Sequence, residues 1–381
     1  MDPILVGFDI GGVNIKCSSI RRSGASYLET AFSTKTYYPL WQNSLDAFPA
    51  KLEEILAIHV QKHLVKKARL EKTTMIPCAS ITGELSDAYS SKKEGIAHIT
   101  GSLARACTAL QQRHGGIIIN EPLFISTDGK FRTRTEANEA HRSVSAANWH
   151  ATATWVGSFV KNGILIDCGS TTTDIIPIID GIPNVEGRTD LERLKSGELV
   201  YTGVLRATIP SIAHEVPVNG TMVPISFEKF ALMADAHLIL GNITREQYDC
   251  DTADGRSTSI DDSKKRLART VCEDADVLGD AVIVDIARFL CNQQVDMVTR
   301  GLRKVIERVN RAMNVKATDL DCVITGIGES SIARLIAERA GFKSIFPLSS
   351  KIGKESTVIS SSIAVLYVIS EHLKLAKSDG T

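Results

Sequence analysis

Two short segments join an aspartate to glycines or small hydroxyl residues at the end of an apolar run. The first is "ILVGFDIGGVNIK" at 4–16, and the second is "ILIDCGSTTTDIIPI" at 164–178. Glycine permits positive φ and close approach of a ligand, and a tight turn of small residues directs successive N–H groups into one anion-binding hollow. We therefore predict a phosphate-binding turn in each segment.

The residue types suggest a role for each position of these turns. Because like charges repel, an aspartate cannot hold phosphate directly, but it can hold a divalent cation through water, and the cation bridges to phosphate. For either segment alone, the alternative is a plain glycine turn with an exposed acid. The occurrence of the same pattern in both segments argues against coincidence. The predicted phosphate contacts are Gly11, Gly12, Asn14, Lys16, Gly169, Ser170, Thr171, Thr172 and Thr173, and the predicted metal ligands are Asp9 and Asp167.

Other phosphate motifs are incomplete in this sequence. The glycine-lysine pair of "SKIGKES" is followed by Glu355 instead of serine or threonine, so the P-loop pattern is absent. The segment "GIGESS" lacks the third glycine of the dinucleotide fingerprint.

The elements around the turns repeat a pattern of strand, turn and strand followed by helices. We predict strands at 4–10, 13–20, 74–82 and 115–126, and helices at 44–68, 101–114 and 136–160. The pattern restarts at 163 and continues with helices at 226–240, 262–278 and 279–313, a strand, turn and helix over 321–342, and a terminal helix over 356–376. This indicates an α/β fold of two similar domains, 1–160 and 161–354, with the segment 355–377 packing back on the first.

Composition excludes several classes of function. The 381 residues carry no formal net charge, which gives no overall field for nucleic acid or an acidic membrane surface, although a local basic groove is compatible with this composition. The eight cysteines form no C-x-x-C pair and no apolar run is long enough to span a bilayer. We expect a cytoplasmic protein that acts on small molecules, with no nucleic-acid or membrane partner, and a homo-oligomer remains open.

The turns, taken with "ITGIGES" at 324–330, resemble the actin, hexokinase and Hsp70 superfamily, most closely its hydantoinase and oxoprolinase branch. The resemblance implies two actin-like (ribonuclease H-like) domains around a central cleft that holds a nucleotide or another polyphosphate. It also makes Gly326, Gly328 and Glu329 a nucleotide-base motif. Binding of ATP is left open.

More specific strings include "YYPLWQ", "AANWHATA", "SGELVYTGVLR" and "YDCDTADGR". They resemble proteins linked to tetrahydromethanopterin-dependent one-carbon transfer, a group that includes the methanofuran-precursor synthase of methanogens. The resemblance implies a transferase that joins an aminomethylfuran-methyl diphosphate to the phenol oxygen of γ-glutamyltyramine and releases diphosphate. The alternatives are an ATP-dependent kinase, an oxoprolinase-like amide enzyme and a nucleotide switch.

That reaction needs Mg²⁺, a base for the phenol and an aromatic slot. Asp251 and Asp254 are spaced to share Mg²⁺ with Arg256 behind them, although a solvated acidic turn explains the same residues. Glu84 ends a predicted buried strand, and we predict it, with Asp9 and His150, as catalytic. Asn148 and Trp149 are predicted to line the substrate pocket, the alternative for Trp149 and His150 being a place in the core.

Overall fold

The computed structural model describes residues 3–21, 31–64, 73–114, 116–353 and 359–378. Two sheets dominate the described chain, and each lies within one of the two predicted halves. Their strands are β1 (Ile4–Gly11), β2 (Asn14–Arg21), β3 (Phe32–Tyr37), β4 (Thr73–Thr82), β5 (Ile117–Ile119), β6 (Leu123–Ile125) and β7 (Phe131–Arg132) in the first. The second contains β8 (Gly163–Cys168), β9 (Thr173–Ile179), β10 (Ile182–Pro183), β11 (Leu199–Val200), β14 (Asp321–Thr325) and β15 (Ser344–Pro347).

The two sheets share one arrangement around their longest hairpin. In the first sheet, ordered β3-β2-β1-β4-β6-β7 with β5 beside β4, β1 pairs antiparallel with β2 and parallel with β4. In the second, ordered β10-β9-β8-β14-β15 with β11 beside β9, β8 pairs antiparallel with β9 and parallel with β14. The turn between hairpin strands and the end of the parallel strand therefore meet at the same edge in both sheets.

Helices cover the sheets, and a small hairpin lies apart from them. The helices are α1 (Phe48–Leu64), α2 (Lys92–Arg113), α3 (Arg134–Glu139), α4 (His141–Val144), α5 (Asn148–Gly157), α6 (Asp190–Ser196) and α7 (Met233–Ile239), then α8 (Ile260–Arg269), α9 (Ala275–Leu278), α10 (Asp280–Met313), α11 (Arg334–Ala340), α12 (Ser349–Ile352) and α13 (Ser360–Ser378). A one-turn π-helix at Glu329–Ala333 precedes α11, and the hairpin consists of β12 (Glu215–Val218) and β13 (Thr221–Pro224).

Helices α5 and α13 lie between the sheets and join their cores. One cluster of buried side chains includes Leu5 of the first sheet, Leu165 of the second, Trp155 of α5 and Leu366 of α13. Helix α13 contacts β1, β2 and α5. The C-terminal helix thus fixes the first hairpin, which carries one of the glycine turns, although the exact domain boundaries remain a prediction.

Several predicted elements differ from the structure for local reasons. The helix predicted over 136–160 is divided into α3, α4 and α5. The break between α4 and α5 contains Ala146, which adopts a positive φ of 49° and donates its N–H to the carbonyl of Ile81. The strand predicted over 115–126 is interrupted before Leu123, where Pro122 has no N–H for a ladder bond. The helix predicted over 44–68 begins at Phe48, and residues 65–68 lie outside the described chain.

Candidate active site

The two glycine turns line one cleft with a volume of about 400 Å³. Gly11 and Gly12 come from the β1–β2 turn, and Gly169 and Ser170 from the β8–β9 turn. The amides of Gly12 and Val13, and those of Ser170, Thr171 and Thr172, have no hydrogen-bond acceptor among the described residues. The cleft therefore has two sets of main-chain donors, one from each half, which suits an elongated anion.

The second turn is held rigidly by its own backbone. Gly169 donates its N–H to the carbonyl of Thr172 at 2.9 Å, and the carbonyls of Gly169 and Ser170 accept from Val204 and Arg206. Gly203 lies so close that an added Cβ would meet the Ser170 and Thr171 backbone at 2.6 Å. Since its carbonyls are bonded behind the turn, the remaining N–H groups are the ones left for a ligand.

Asp9 lies at the end of β1 in a network of four donors. Its carboxylate accepts hydrogen bonds from Lys16 at 3.2 Å, Ser80 at 3.3 Å, Thr82 at 3.2 Å and Ser361 at 2.6 Å. Strand alternation faces Lys16 toward Asp9, and both residues line the cleft. The network fixes the carboxylate beside the first turn.

Asp167 differs from Asp9, because its side chain has no hydrogen-bond or ion-pair partner among the described residues. Desolvation and the negative charge of Asp174 raise its pKa to about 7. Gly326, at a φ of 91°, packs directly against this carboxylate, where a side chain would have no room. A partly buried carboxylate without a hydrogen-bond or ion-pair partner among the described residues is chemically suited to a divalent cation.

Glu84 lies just after β4 and is 2% exposed, yet it lines the cleft. Burial raises its pKa to about 7, and one carboxylate oxygen has no hydrogen-bond partner. The Lys92 ammonium group lies 3.8 Å from the other oxygen and also binds Asp190 of the second half at 2.7 Å. This environment gives Glu84 the properties of a general base that works near neutral pH.

Comparisons with known proteins assign the chain to a family. The hydantoinase/oxoprolinase family model matches residues 77–360, about three quarters of the chain. The chain belongs to the hydantoinase/oxoprolinase family. It is 32% identical, over 98% of its length and 99% of the relative's, to "(4-{4-[2-(gamma-L-glutamylamino)ethyl]phenoxymethyl}furan-2-yl)methanamine synthase" of Methanocaldococcus jannaschii. A synthase of the same name from Methanococcus vannielii is 32% identical over 56% of this chain and 93% of the relative.

A solved structure shares the fold of this chain. Acetone carboxylase without nucleotide matches with a TM-score of 0.58 and 11% identity, covering 96% of this chain and 70% of that one. At this identity the likeness concerns the fold alone, and it confirms the predicted α/β class of the actin type. No described helix of this hydantoinase/oxoprolinase relative is both long and apolar enough to cross a membrane.

The predicted acidic metal site at 249–256 is not part of the cleft of this hydantoinase/oxoprolinase member. Asp251 accepts from the Tyr37 hydroxyl at 2.8 Å and the Gln42 amide at 2.6 Å. Asp254 accepts from Arg266 at 3.1 Å and Arg269 at 3.3 Å, and the Arg256 side chain is 56% exposed. The prediction is corrected because none of Asp251, Asp254 and Arg256 lines the cleft and Asp254 is paired with two arginines.

The predicted aromatic slot is likewise corrected. Trp149 is 2% exposed and packs its ring against the guanidinium of Arg193 at 4.5 Å. His150 packs on Gly129 and bonds Thr154 at 3.2 Å, outside the cleft lining, and burial lowers its pKa to about 4. Of the three helix residues, Asn148 alone lines the cleft, so the core alternative describes the other two.

Three further predicted contacts have different surroundings. Glu329 is 7% exposed and accepts the N–H of Ser349 at 3.0 Å, and Gly328 packs on Cys168. The hydroxyl of Thr173 donates to the Thr202 carbonyl at 2.8 Å in the interior. Glu329, Gly328 and Thr173 therefore lie behind the cleft, whereas Gly326 lines it. The other predicted contacts Asn14, Lys16, Thr171 and Thr172 also line the cleft.

Sequence reasoning missed several residues of the cleft. Trp41, Tyr201, Arg193, Arg206 and Ser361 line it, and none belongs to a motif with a recognisable spacing. Trp41, Tyr201 and Arg206 do occur within strings that carry the family resemblance, which was the available signal.

Proposed function

We propose that this protein is a transferase of methanofuran biosynthesis that joins an aminomethylfuran-methyl diphosphate to the phenol oxygen of γ-glutamyltyramine, or a tyrosine-derived analogue, and releases diphosphate. The observation that carries the proposal is the similarity to the M. jannaschii synthase along nearly the whole of both chains. The proposed enzyme acts on small molecules in the cytoplasm and has no nucleic-acid or membrane partner. A homo-oligomer is compatible with this function.

The leaving group is the first requirement of this reaction. Breaking the bond between the furan-bearing methylene and oxygen leaves an electron pair on the diphosphate, so catalysis depends on stabilising that charge. The unpaired amides of Gly12, Ser170 and Thr171, with the ammonium group of Lys16, are the groups that we assign to it.

Mg²⁺ is the divalent cation that we propose for the site, and the residues present fit it. Asp167 has a carboxylate without a partner among the described residues, and Asp9 lines the same cleft. A bound Mg²⁺ would supply a Lewis acid that neutralises diphosphate charge. Asp9 and Asp167 would hold it through water molecules, with Asp9 oriented by Lys16 and Ser361.

The second requirement is a base for the phenol. The carboxylate of Glu84, with its pKa near 7, accepts the phenol proton while the phenol oxygen forms the new bond to the methylene carbon. The products are the aryl ether, diphosphate and protonated Glu84. The proton then leaves to solvent, which restores the ionised carboxylate of Glu84 beside the ammonium group of Lys92.

The proposal is tested by incubating the purified protein with the furan diphosphate and γ-glutamyltyramine, with and without Mg²⁺. Mass spectrometry should detect the ether and one equivalent of diphosphate, only when Mg²⁺ is present. If product forms only when added ATP is converted to ADP or AMP, the result would instead support a kinase or an oxoprolinase-like amide enzyme.

A further inference from the structure

An aromatic ring from the first half and an arginine from the second meet at the cleft. The guanidinium carbon of Arg206 lies 5.3 Å from the centre of the Trp41 ring, and both residues line the cleft. Trp41 is 39% exposed, unlike the buried Trp149 and Trp155. The pair therefore presents a charged and aromatic surface to whatever occupies the cleft.

Arg206 differs from the other cations of the cleft in its lack of an acidic partner. Lys16 pairs with Asp9, Lys35 with Asp249, and Arg193 with Asp174. Within the described ranges, the Arg206 side chain has no hydrogen bond or ion pair, only the Trp41 ring. A half-buried guanidinium without a carboxylate is available for an anionic ligand, which it can contact through two parallel N–H groups.

The backbone places this pair beside both phosphate turns. The N–H of Leu40 donates to the carbonyl of Gly12 at 2.9 Å, and the N–H of Arg206 donates to the carbonyl of Ser170 at 3.1 Å. Trp41 thus follows a residue bonded to the first turn, and Arg206 is itself bonded to the second. The hydrogen bonds of Tyr37 and Gln42 to Asp251 hold the Trp41 segment against the second half.

We propose that Arg206, stacked on Trp41, binds the diphosphate group in this cleft and stabilises it as a leaving group. The inference rests on the proposed function for the identity of the substrate. When the methylene carbon–oxygen bond breaks, the electron pair stays on the diphosphate oxygen, and the guanidinium donates to that oxygen or its neighbours. Trp41 positions the guanidinium by covering one of its faces.

The competing assignment gives Arg206 to the carboxylate of the γ-glutamyl group. We favour the diphosphate over the carboxylate as the ligand of Arg206. The backbone N–H of Arg206 donates to the carbonyl of Ser170, so Arg206 lies beside the unpaired amides of Ser170 and Thr171, which we assign to the diphosphate. The two anions are separated experimentally by using tyramine, which lacks the carboxylate, beside γ-glutamyltyramine.

The first test measures binding of inorganic pyrophosphate with Mg²⁺ by calorimetry, without any turnover. We expect R206A to weaken binding by at least about tenfold, since a charge-assisted bidentate contact is lost, and R206K to lose less. R300A, at an exposed position of α10, is the matched control and should bind as the wild type does. Equal binding by wild type and R206A, or no binding by wild type, overturns the inference.

Tryptophan emission supplies a second, independent readout. Trp149 and Trp155 are 2% and 3% exposed, so we expect pyrophosphate to change the emission of Trp41 and the change to vanish in W41F. If R206A does not fold, as judged by thermal unfolding, R206K decides the result. A change that persists in W41F contradicts the placement of the ligand.

Kinetics then separates this inference from the proposed reaction. R206A should raise KM for the furan diphosphate and lower kcat, with equal losses for tyramine and γ-glutamyltyramine as acceptors. A raised KM for γ-glutamyltyramine alone assigns Arg206 to the carboxylate and overturns the inference. Pyrophosphate binding that depends on Arg206 without ether formation would support the inference while contradicting the proposed function.

Discussion

Lys92, at the start of α2, extends its ammonium group to within 3.8 Å of the buried carboxylate of Glu84. The same group donates a hydrogen bond of 2.7 Å to Asp190, the first residue of α6 in the other half of the chain. The candidate base is therefore electrostatically coupled to a contact that joins the two halves across the cleft.

Replacement of Glu84 by Gln tests the assignment of the base. Since the carboxylate must be ionised to accept a proton and its pKa is about 7, kcat of the wild type should rise with pH through that value and then level off. Glu84→Gln should lower kcat by about a hundredfold or more and remove this dependence. Steady-state kinetics between pH 5.5 and 9 measures both, with the exposed Glu54→Gln as control.

The same substitution has a predicted effect on stability of the opposite sign. The pKa of Glu84 is raised from 4.5 to about 7 on folding, so its contribution favours the folded state below pH 4.5 and is lost as pH rises toward 7. Above pH 7 the folded protein must keep the buried carboxylate ionised, which costs on the order of 3 kcal/mol at pH 8. Glu84→Gln removes this cost. Urea unfolding at pH 8 should show a variant at least as stable as the wild type; marked destabilisation would mean a structural role for Glu84.

Replacement of Asp254 by Asn tests the correction of the predicted metal site. Arg266, fully buried, keeps Asp235 as its partner but loses a charge-assisted bond, as does Arg269. We expect a loss of about 2 kcal/mol in the free energy of unfolding and an unchanged Mg²⁺ dependence of activity. A selective increase in the Mg²⁺ concentration needed for activity, without loss of stability, would restore Asp254 as a metal ligand.

Replacement of His150 by Gln tests its exclusion from catalysis. The burial that lowers its pKa to about 4 leaves the ring neutral throughout the working range, and it faces Gly129 and Thr154 instead of the cleft. The pH profile of kcat should keep its shape, and no loss approaching the roughly hundredfold cost of removing a general base is expected. Disappearance of the ionisation near pH 7 in this variant would reinstate His150 as the base.

The glycine turns could be predicted because their signal is local. Asp9, Gly11 and Gly12 are near neighbours in the sequence, and backbone preference places them in one turn. The repetition of the same pattern indicated two similar domains, and the resemblance to the actin, hexokinase and Hsp70 superfamily implied a cleft between them. The α/β fold and its duplicated hairpins followed from the same short-range periodicity.

The residues that were misassigned depend on partners distant in sequence or on which helix face is buried. In the sequence Asp254 resembles a metal ligand, but in the fold it accepts hydrogen bonds from Arg266 and Arg269 of α8. The bond from Ser361 to Asp9 joins residues 352 positions apart, and the Trp41–Arg206 pair joins two halves, so no local pattern reveals either. The fold supplies these contacts, and spacing alone does not.

The most direct test of the account uses γ-glutamyltyramine labelled with ¹⁸O in its phenol. If the phenol oxygen attacks the methylene carbon and diphosphate departs with its own oxygen, mass spectrometry will find the label in the aryl ether and none in the released diphosphate. Label in phosphate, or an ether that forms only when ATP is consumed, would show that the phenol is activated first and would contradict the proposed diphosphate-releasing transfer.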